Sequence, residues 1–219
     1  MKEIIDFLKN LEKNNNREWF DENRDTYQKT KTKFLHISEI LINEIRTFDK
    51  EIPAIDPKKC MFRIFRDVRF SSDKTPYKSN YGTFMARDGR KGGNPGYYIH
   101  IQPGKSFLGG GIYMPDVDKL KAIRSEIYNY PTDFINILEE PEFKRTFNLF
   151  EDDKLKTAPK GFPKDFEHIN LLRYKSYAPF TNISDEQLLN PNVLEFIVSK
   201  FKLLSSFNNY LNHALDQSK

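Results

Sequence analysis

The stretch GYYIHIQPGKSFLGGGIYM, residues 96–114, decides how the middle of the chain folds. Tyr97, Ile99 and Ile101 alternate with Tyr98, His100 and Gln102, the pattern of a strand with one apolar face and one mixed face. QPGK at 102–105 supplies a turn, because Pro103 presets the backbone and Gly104 accepts a left-handed conformation, and KSFLGGGIYM then runs back as the next strand. Upstream, YGTFMARDG (81–89) reads as another strand, and Cys60, Phe62 and Ile64 alternate with Met61, Arg63 and Phe65 as a further one. The connections are too short for crossover helices, so neighbouring strands run antiparallel. The expected class is α+β, an antiparallel sheet of about four strands with helices packed on one face.

The flanks are helical. Ile4, Ile5, Phe7, Leu8 and Leu11 keep helical spacing, and a second helix is expected from Arg17 to about Phe48, ended by Pro53 and Pro57. Beyond the sheet, Asp116 is placed to cap a helix carrying Leu120, Ile123 and Ile127, and two short helices are expected to break before Pro141. Ser184 with Gln187 forms a capping-box pattern, and a final helix begins near Pro191. The 219 residues are therefore expected to form a single domain, helical over 1–50, sheet-centred over 58–114 and mostly helical over 115–219.

Composition excludes several classes. With 19 Phe and 11 Tyr the core leans on aromatic rings, and 38% hydrophobic content is that of a globular chain. The single cysteine, Cys60, rules out an internal disulfide and a paired-cysteine zinc site, and its alternation with Phe62 and Ile64 predicts a buried thiol. No apolar run reaches membrane-spanning length and the first residues lack the apolar core of a signal peptide, so no membrane partner is expected and the cytoplasm is the expected compartment.

Charge is concentrated rather than spread. Residues 58–78 carry Lys58, Lys59, Arg63, Arg66, Arg69, Lys74 and Lys78 against Asp67 and Asp73, an excess larger than the +4 of the entire chain. Arginine forks and mobile lysines suit phosphate or carboxylate groups. Arg63, Arg66, Arg69, Lys74, Lys78 and Tyr77 are therefore the candidate ligand-binding residues, with Asp67 and Asp73 orienting the cations. His100 shares its strand face with Tyr98, and the two are the candidate proton-handling groups. No metal site is expected, since His36, His168 and His213 stand at no ligand spacing with His100, and no cofactor is implied. The glycines 109–111 lack the lysine and hydroxyl residue of a phosphate loop, and call instead for close approach by a ligand or a packed layer. DGRKGGNPG (88–96) reads as a mobile connection, in which Arg90 and Lys91, with Arg87 just before it, extend the positive field.

Three functions remain open at this point. One is binding of, or catalysis on, a small phosphorylated or carboxylated molecule. Another is nucleic-acid binding through the same cations and the aromatics. In the third the chain is an interaction or structural module whose basic segment is used in internal ion pairs.

Five segments carry a family resemblance: NNNREWFDENRDTY (14–27), DPKKCMFRIFRDVRFSSDKTPYKSNYG (56–82), GYYIHIQPGKSFLGGGIYMP (96–115), LKTAPKGFPKD (155–165) and LLRYKSY (171–177). Together they resemble the DUF2461 family, a domain of unknown function whose members look alike through nearly their full length. The resemblance implies a conserved scaffold and no stated activity. Relatives often carry Asp-His-Pro where this chain has Asp165, Phe166 and Glu167, so no histidine role transfers to that position.

Overall fold

The computed structural model describes residues 1–218. Helices α1 (Lys2–Lys13), α2 (Arg17–Glu22), α3 (Arg24–Phe48) and the single-turn α4 (Pro57–Cys60) lead into strands β1 (Tyr81–Ala86), β2 (Gly96–Ile101) and β3 (Phe107–Gly111). There follow α5 (Val117–Asn129), α6 (Pro131–Glu139), α7 (Pro141–Thr146), β4 (Asn148–Leu149), α8 (Ile169–Leu172), β5 (Pro179–Asn182), α9 (Asp185–Leu189) and α10 (Val193–Asp216). The class is α+β, as expected, and the antiparallel sheet has five strands in the order β1-β2-β3-β5-β4.

Pairing fixes what each face carries. Thr83, Ile99 and Leu108 lie opposite one another across β1, β2 and β3, beside the Met85–Tyr97 and Tyr81–Ile101 pairs, and all are buried. This face meets the helices: Phe48 of α3 and Phe201 of α10 both pack on Tyr97, and Phe34 of α3 stacks on Tyr81. The remaining helices build onto the α3 and α10 layer: α1 packs on α3, and α5, α6, α7 and α9 on α10. The reverse face presents Phe84, Tyr98, His100, Phe107 and Phe180, all only half-buried, because among the described residues no helix covers it.

The glycine run is where α10 comes down on the sheet. A side chain at Gly110 would meet Leu204, and one at Gly111 would run into the Tyr177 carbonyl oxygen. Gly111 also has φ +73°, which glycine alone adopts without strain. Asn208, 1% exposed on α10, locks this contact: its Oδ1 accepts from Gly111 N at 2.8 Å and its Nδ2 donates to Gly96 O at 3.1 Å. The close approach at Gly110 and Gly111 thus belongs to a packed layer, while Gly109 lies between Tyr98 and Phe180 on the other face.

Local differences from the sequence expectation have identifiable causes. The Cys60–Ile64 segment is not a strand. Asp56 accepts from Lys58 N at 2.9 Å and Pro57 presets the first turn, so a short helix forms instead, and only single bridges tie Met61 to Thr83 and Phe65 to Tyr77. Cys60 is buried, as expected, with its thiol pushed up to about 11 by burial. The helix expected from Arg17 breaks at Asn23, whose backbone N–H and side-chain amide both donate to Trp19 O and close α2. β4 and β5 bring residues 148–149 and 179–182 into a sheet expected only from 58–114. The capping box at Ser184 and Gln187 forms in full. Among the described residues no helix is long and apolar enough to cross a membrane.

Replacing Asn208 by alanine strands two buried backbone groups, at about 1–3 kcal/mol each. Urea denaturation of Asn208→Ala is expected to show a loss of about 2–4 kcal/mol, while Asn209→Ala, one residue along on the exposed side, stays within about 0.5 kcal/mol of the parent.

Candidate functional site

Residues 62–78 form an irregular hairpin laid along β1. Phe62 N donates to Gly82 O, Lys78 N to Ile64 O and Arg66 N to Pro76 O, at 2.9, 2.8 and 3.0 Å. Tyr77 bolts it to the front helices: its ring stacks on Phe20 at 3.9 Å and 12°, and its backbone N and O bond the Asn15 side chain at 3.1 and 2.9 Å. The tip is held by its own charges. Asp73 accepts from Thr75 N at 2.9 Å and pairs with Arg66, and the Thr75 bond first, then Arg66, holds its carboxyl down to about 2. Asp67 takes a two-pronged bond from Arg69, at 2.9 and 2.7 Å, and its carboxyl is lowered by it. Lys74 Nζ donates to Val68 O at 3.0 Å. These pairs are exposed and shape the loop more than they stabilise the fold.

Lys78 is differently placed. Half-buried at the hairpin exit, its ammonium lies 5.7 Å from the Phe62 ring centroid, and the Arg90 guanidinium lies 6.0 Å from the same ring. Arg90 is fixed there by donating to Lys59 O at 2.9 Å from the glycine-rich connection, which a short 3-10 turn at Gly89–Lys91 rigidifies. Among the described residues, no carboxylate forms an ion pair with Lys78, Arg63 or Arg90. Burial first, then the charges of Arg63, Arg66 and Arg90, push the Lys78 ammonium below its ordinary value. Arg90 stands in the sequence only as part of a glycine-rich connection, and nothing before folding tells that it reaches Phe62.

Beside this cationic end runs a polar chain on β2. Tyr98 OH donates to His100 Nδ1 at 3.0 Å, His100 Nε2 donates to Gln102 Oε1 at 3.0 Å, and Gln102 Nε2 donates to Ser79 Oγ at 3.4 Å. That direction of donation places the proton of a neutral imidazole on Nε2. Burial, and then the Lys78 charge, lower His100, while the Gln102 bond opposes them. Burial pushes the Tyr98 phenol up to about 12, so it remains a donor. Gly82 makes room for this tyrosine: a side chain there would meet Tyr98 OH at 2.6 Å. Phe62 packs edge-on against Tyr98 at 6.0 Å, and His100 stacks on Phe107 at 4.7 Å.

The structure therefore gathers Lys78, Tyr98 and His100 on one surface, with the charge of Arg63 added to the field at Lys78, and spends Arg66, Arg69 and Lys74 on the hairpin itself and Tyr77 on its anchorage to the front helices. Neither the cleft of about 920 Å³ between α5 and α10 nor that of about 510 Å³ beside the 102–105 turn is lined by any of these residues. Among the described residues no group of histidine, cysteine, aspartate and glutamate is arranged to hold a metal ion.

Two titrations follow. The unfolded chain takes up a proton on histidine near 6.5, whereas folded His100 does so only at lower pH, so acid in that interval favours unfolding. Chemical denaturation from pH 7 to 5 is expected to show a stability loss in the parent that His100→Gln reduces. For Lys78 the cost of the charge is fully present below its folded value and vanishes as pH rises to the ordinary 10.5. Lys78→Met is thus expected to melt higher than the parent at pH 7 in low salt, with the gap closing as the pH approaches 10.5.

No curated protein and no solved structure matches the chain. A family model does, over residues 3–210, and its description is that of a conserved hypothetical protein. The hairpin, the β2 face and the sheet that carries them all fall inside the matched span, and the chain belongs to the DUF2461 family.

Proposed function

We propose that the uncovered face of the sheet binds a small phosphate- or carboxylate-bearing molecule, with Lys78, Arg63 and Arg90 as its anion-binding groups. The observation that carries this reading is the half-buried ammonium of Lys78, set among Arg63, Arg66 and Arg90 with no carboxylate in ion-pair contact with it, while Asp73 answers Arg66 and Asp67 feels the charge of Arg63. A group of like charges held together costs free energy in the empty protein, and a bound anion reverses the sign of that interaction. Arg66, already held by Asp73, positions the hairpin and adds to the field; Arg69 and Lys74 at the tip attract the ligand from a distance.

Tyr98 and His100 lie next to the anion in this reading. A neutral imidazole with a phenol on one nitrogen and an amide on the other can take up a proton at Nδ1, where Tyr98 donates, while the Gln102 amide fixes its tautomer from the other side. Ligand recognition alone uses the same groups as hydrogen-bond partners. The pairing of Asp67 and Asp73 with Arg69 and Arg66 supports a structural use of part of the basic segment, so the segment divides into a self-paired tip and an unpaired root.

The test is a thermal-shift titration with inorganic phosphate, pyrophosphate and malonate at constant ionic strength. The parent protein is expected to rise in Tm with one of these, by an amount equivalent to about 2.7 kcal/mol at a hundredfold excess over Kd. Lys78→Met and Arg63→Ala are expected to lose most of that rise, and Arg69→Ala to keep it. Equal stabilisation of parent and Lys78→Met, or none of the parent, overturns the reading.

A further inference from the structure

The cations stand at one end of a row of rings. From Phe62, which lies under both Lys78 and Arg90, the row continues to Tyr98 at 6.0 Å, to Phe107 at 5.5 Å and to Phe180 at 6.3 Å, crossing β2, β3 and β5 on the uncovered face. Every ring in it is half-buried, so each keeps surface open to a guest. Strand register makes the row: Tyr98 and Phe180 are both partners of Gly109, and Phe107 is the partner of His100. Polar groups are interleaved with the rings. The His100 imidazole stacks on Phe107 at 4.7 Å and 17°, and the amides of Gln102 and Asn80 both reach that imidazole.

We infer that the anion bound here carries a planar ring with polar edges, as a nucleoside monophosphate does. This rests on the anion-binding reading above and deepens it. The charged group sits at Lys78, Arg63 and Arg90, and the ring lies against Tyr98 and Phe107, where aromatic faces favour another flat π-system. A flexible acyl chain fits the same surface poorly, because the hydrogen-bonding capacity that Tyr98, Gln102 and Asn80 keep beyond their bonds to the imidazole and to Ser79 would be cut off from water with nothing offered in exchange. A ring bearing nitrogen and oxygen atoms at its edge meets those groups while it stacks.

Isothermal titration of the full chain with AMP, ribose 5-phosphate, inorganic phosphate, octyl phosphate and a single-stranded oligonucleotide, at one ionic strength for the small probes and at several for the oligonucleotide, separates the possibilities. AMP is expected to bind at least about tenfold more tightly than ribose 5-phosphate. Phe107→Leu is expected to bring AMP to within about twofold of ribose 5-phosphate while leaving inorganic phosphate unchanged; Phe180→Leu serves as the second variant where Phe107→Leu fails to fold. Equal binding of AMP and ribose 5-phosphate overturns the ring inference and leaves the anion reading standing. Tighter binding of octyl phosphate than of AMP overturns it in favour of an acyl ligand. Binding confined to a single-stranded oligonucleotide, with a salt dependence of several phosphates, overturns it in favour of a polymer. Failure of every probe, inorganic phosphate included, removes both readings together.

Discussion

The contact on which this fold turns is the Asn208 side-chain amide, held between Gly111 N and Gly96 O in the buried seam where α10 crosses the sheet. It satisfies two backbone groups that a helix laid across the ends of β2 and β3 would otherwise strand, and it can form only because the glycines let the helix approach. With α10 seated there and α3 beside it, one face of the sheet is completely buried and the other helices stack outward from that layer. The opposite face receives the hairpin of residues 62–78 at its β1 edge. Rings and an imidazole that a second helical layer would have covered stay half-buried on a rigid sheet.

The hairpin shows how a dense group of charges is kept folded without being fully neutralised. At its tip each aspartate answers one arginine, and the Tyr77 ring and the Asn15 amide anchor the root to the front helices. That anchoring forces Lys78 into the company of cations, a placement that lowers its ammonium rather than stabilising it. Charges that oppose folding persist where another part of the structure over-determines their position. The neutral His100 beside them, lowered in part by Lys78, belongs to the same strained field.

Much of this was legible before folding. The alternation at 97–102 names both faces of β2, and the apolar spacing of α1 and the capping box at Ser184 and Gln187 translate directly into structure. Elsewhere a local signal overrode the period. Asp56 and Pro57 start a helix where Cys60, Phe62 and Ile64 alternate like a strand, and Asn23 interrupts an otherwise continuous helical pattern. β4 and β5 have two and four residues and little pattern of their own, so pairing alone makes them strands, β5 against β3 and β4 against β5. The candidate site divided in the same way. Tyr98 and His100 share a face by their spacing alone, but the separation of Lys78 from the self-paired Arg66 and Arg69 is a matter of distances. The arrival of Arg90 over Phe62 and the alignment of Phe107 and Phe180 with Tyr98 come from tertiary contact and cross-strand register, which no single segment contains.

The central claim is that the unpaired cations beside Phe62 form the place where an anion rests. A crystal soaked in tungstate, a heavy analogue of phosphate that is located by its anomalous signal, tests this directly. The account predicts a tungsten peak within hydrogen-bonding reach of Lys78 Nζ, with Arg63 or Arg90 turned toward it. Tungstate found only at exposed lysines elsewhere, with Lys78 bare and the Arg90 side chain still bonded solely to Lys59 O, would contradict it.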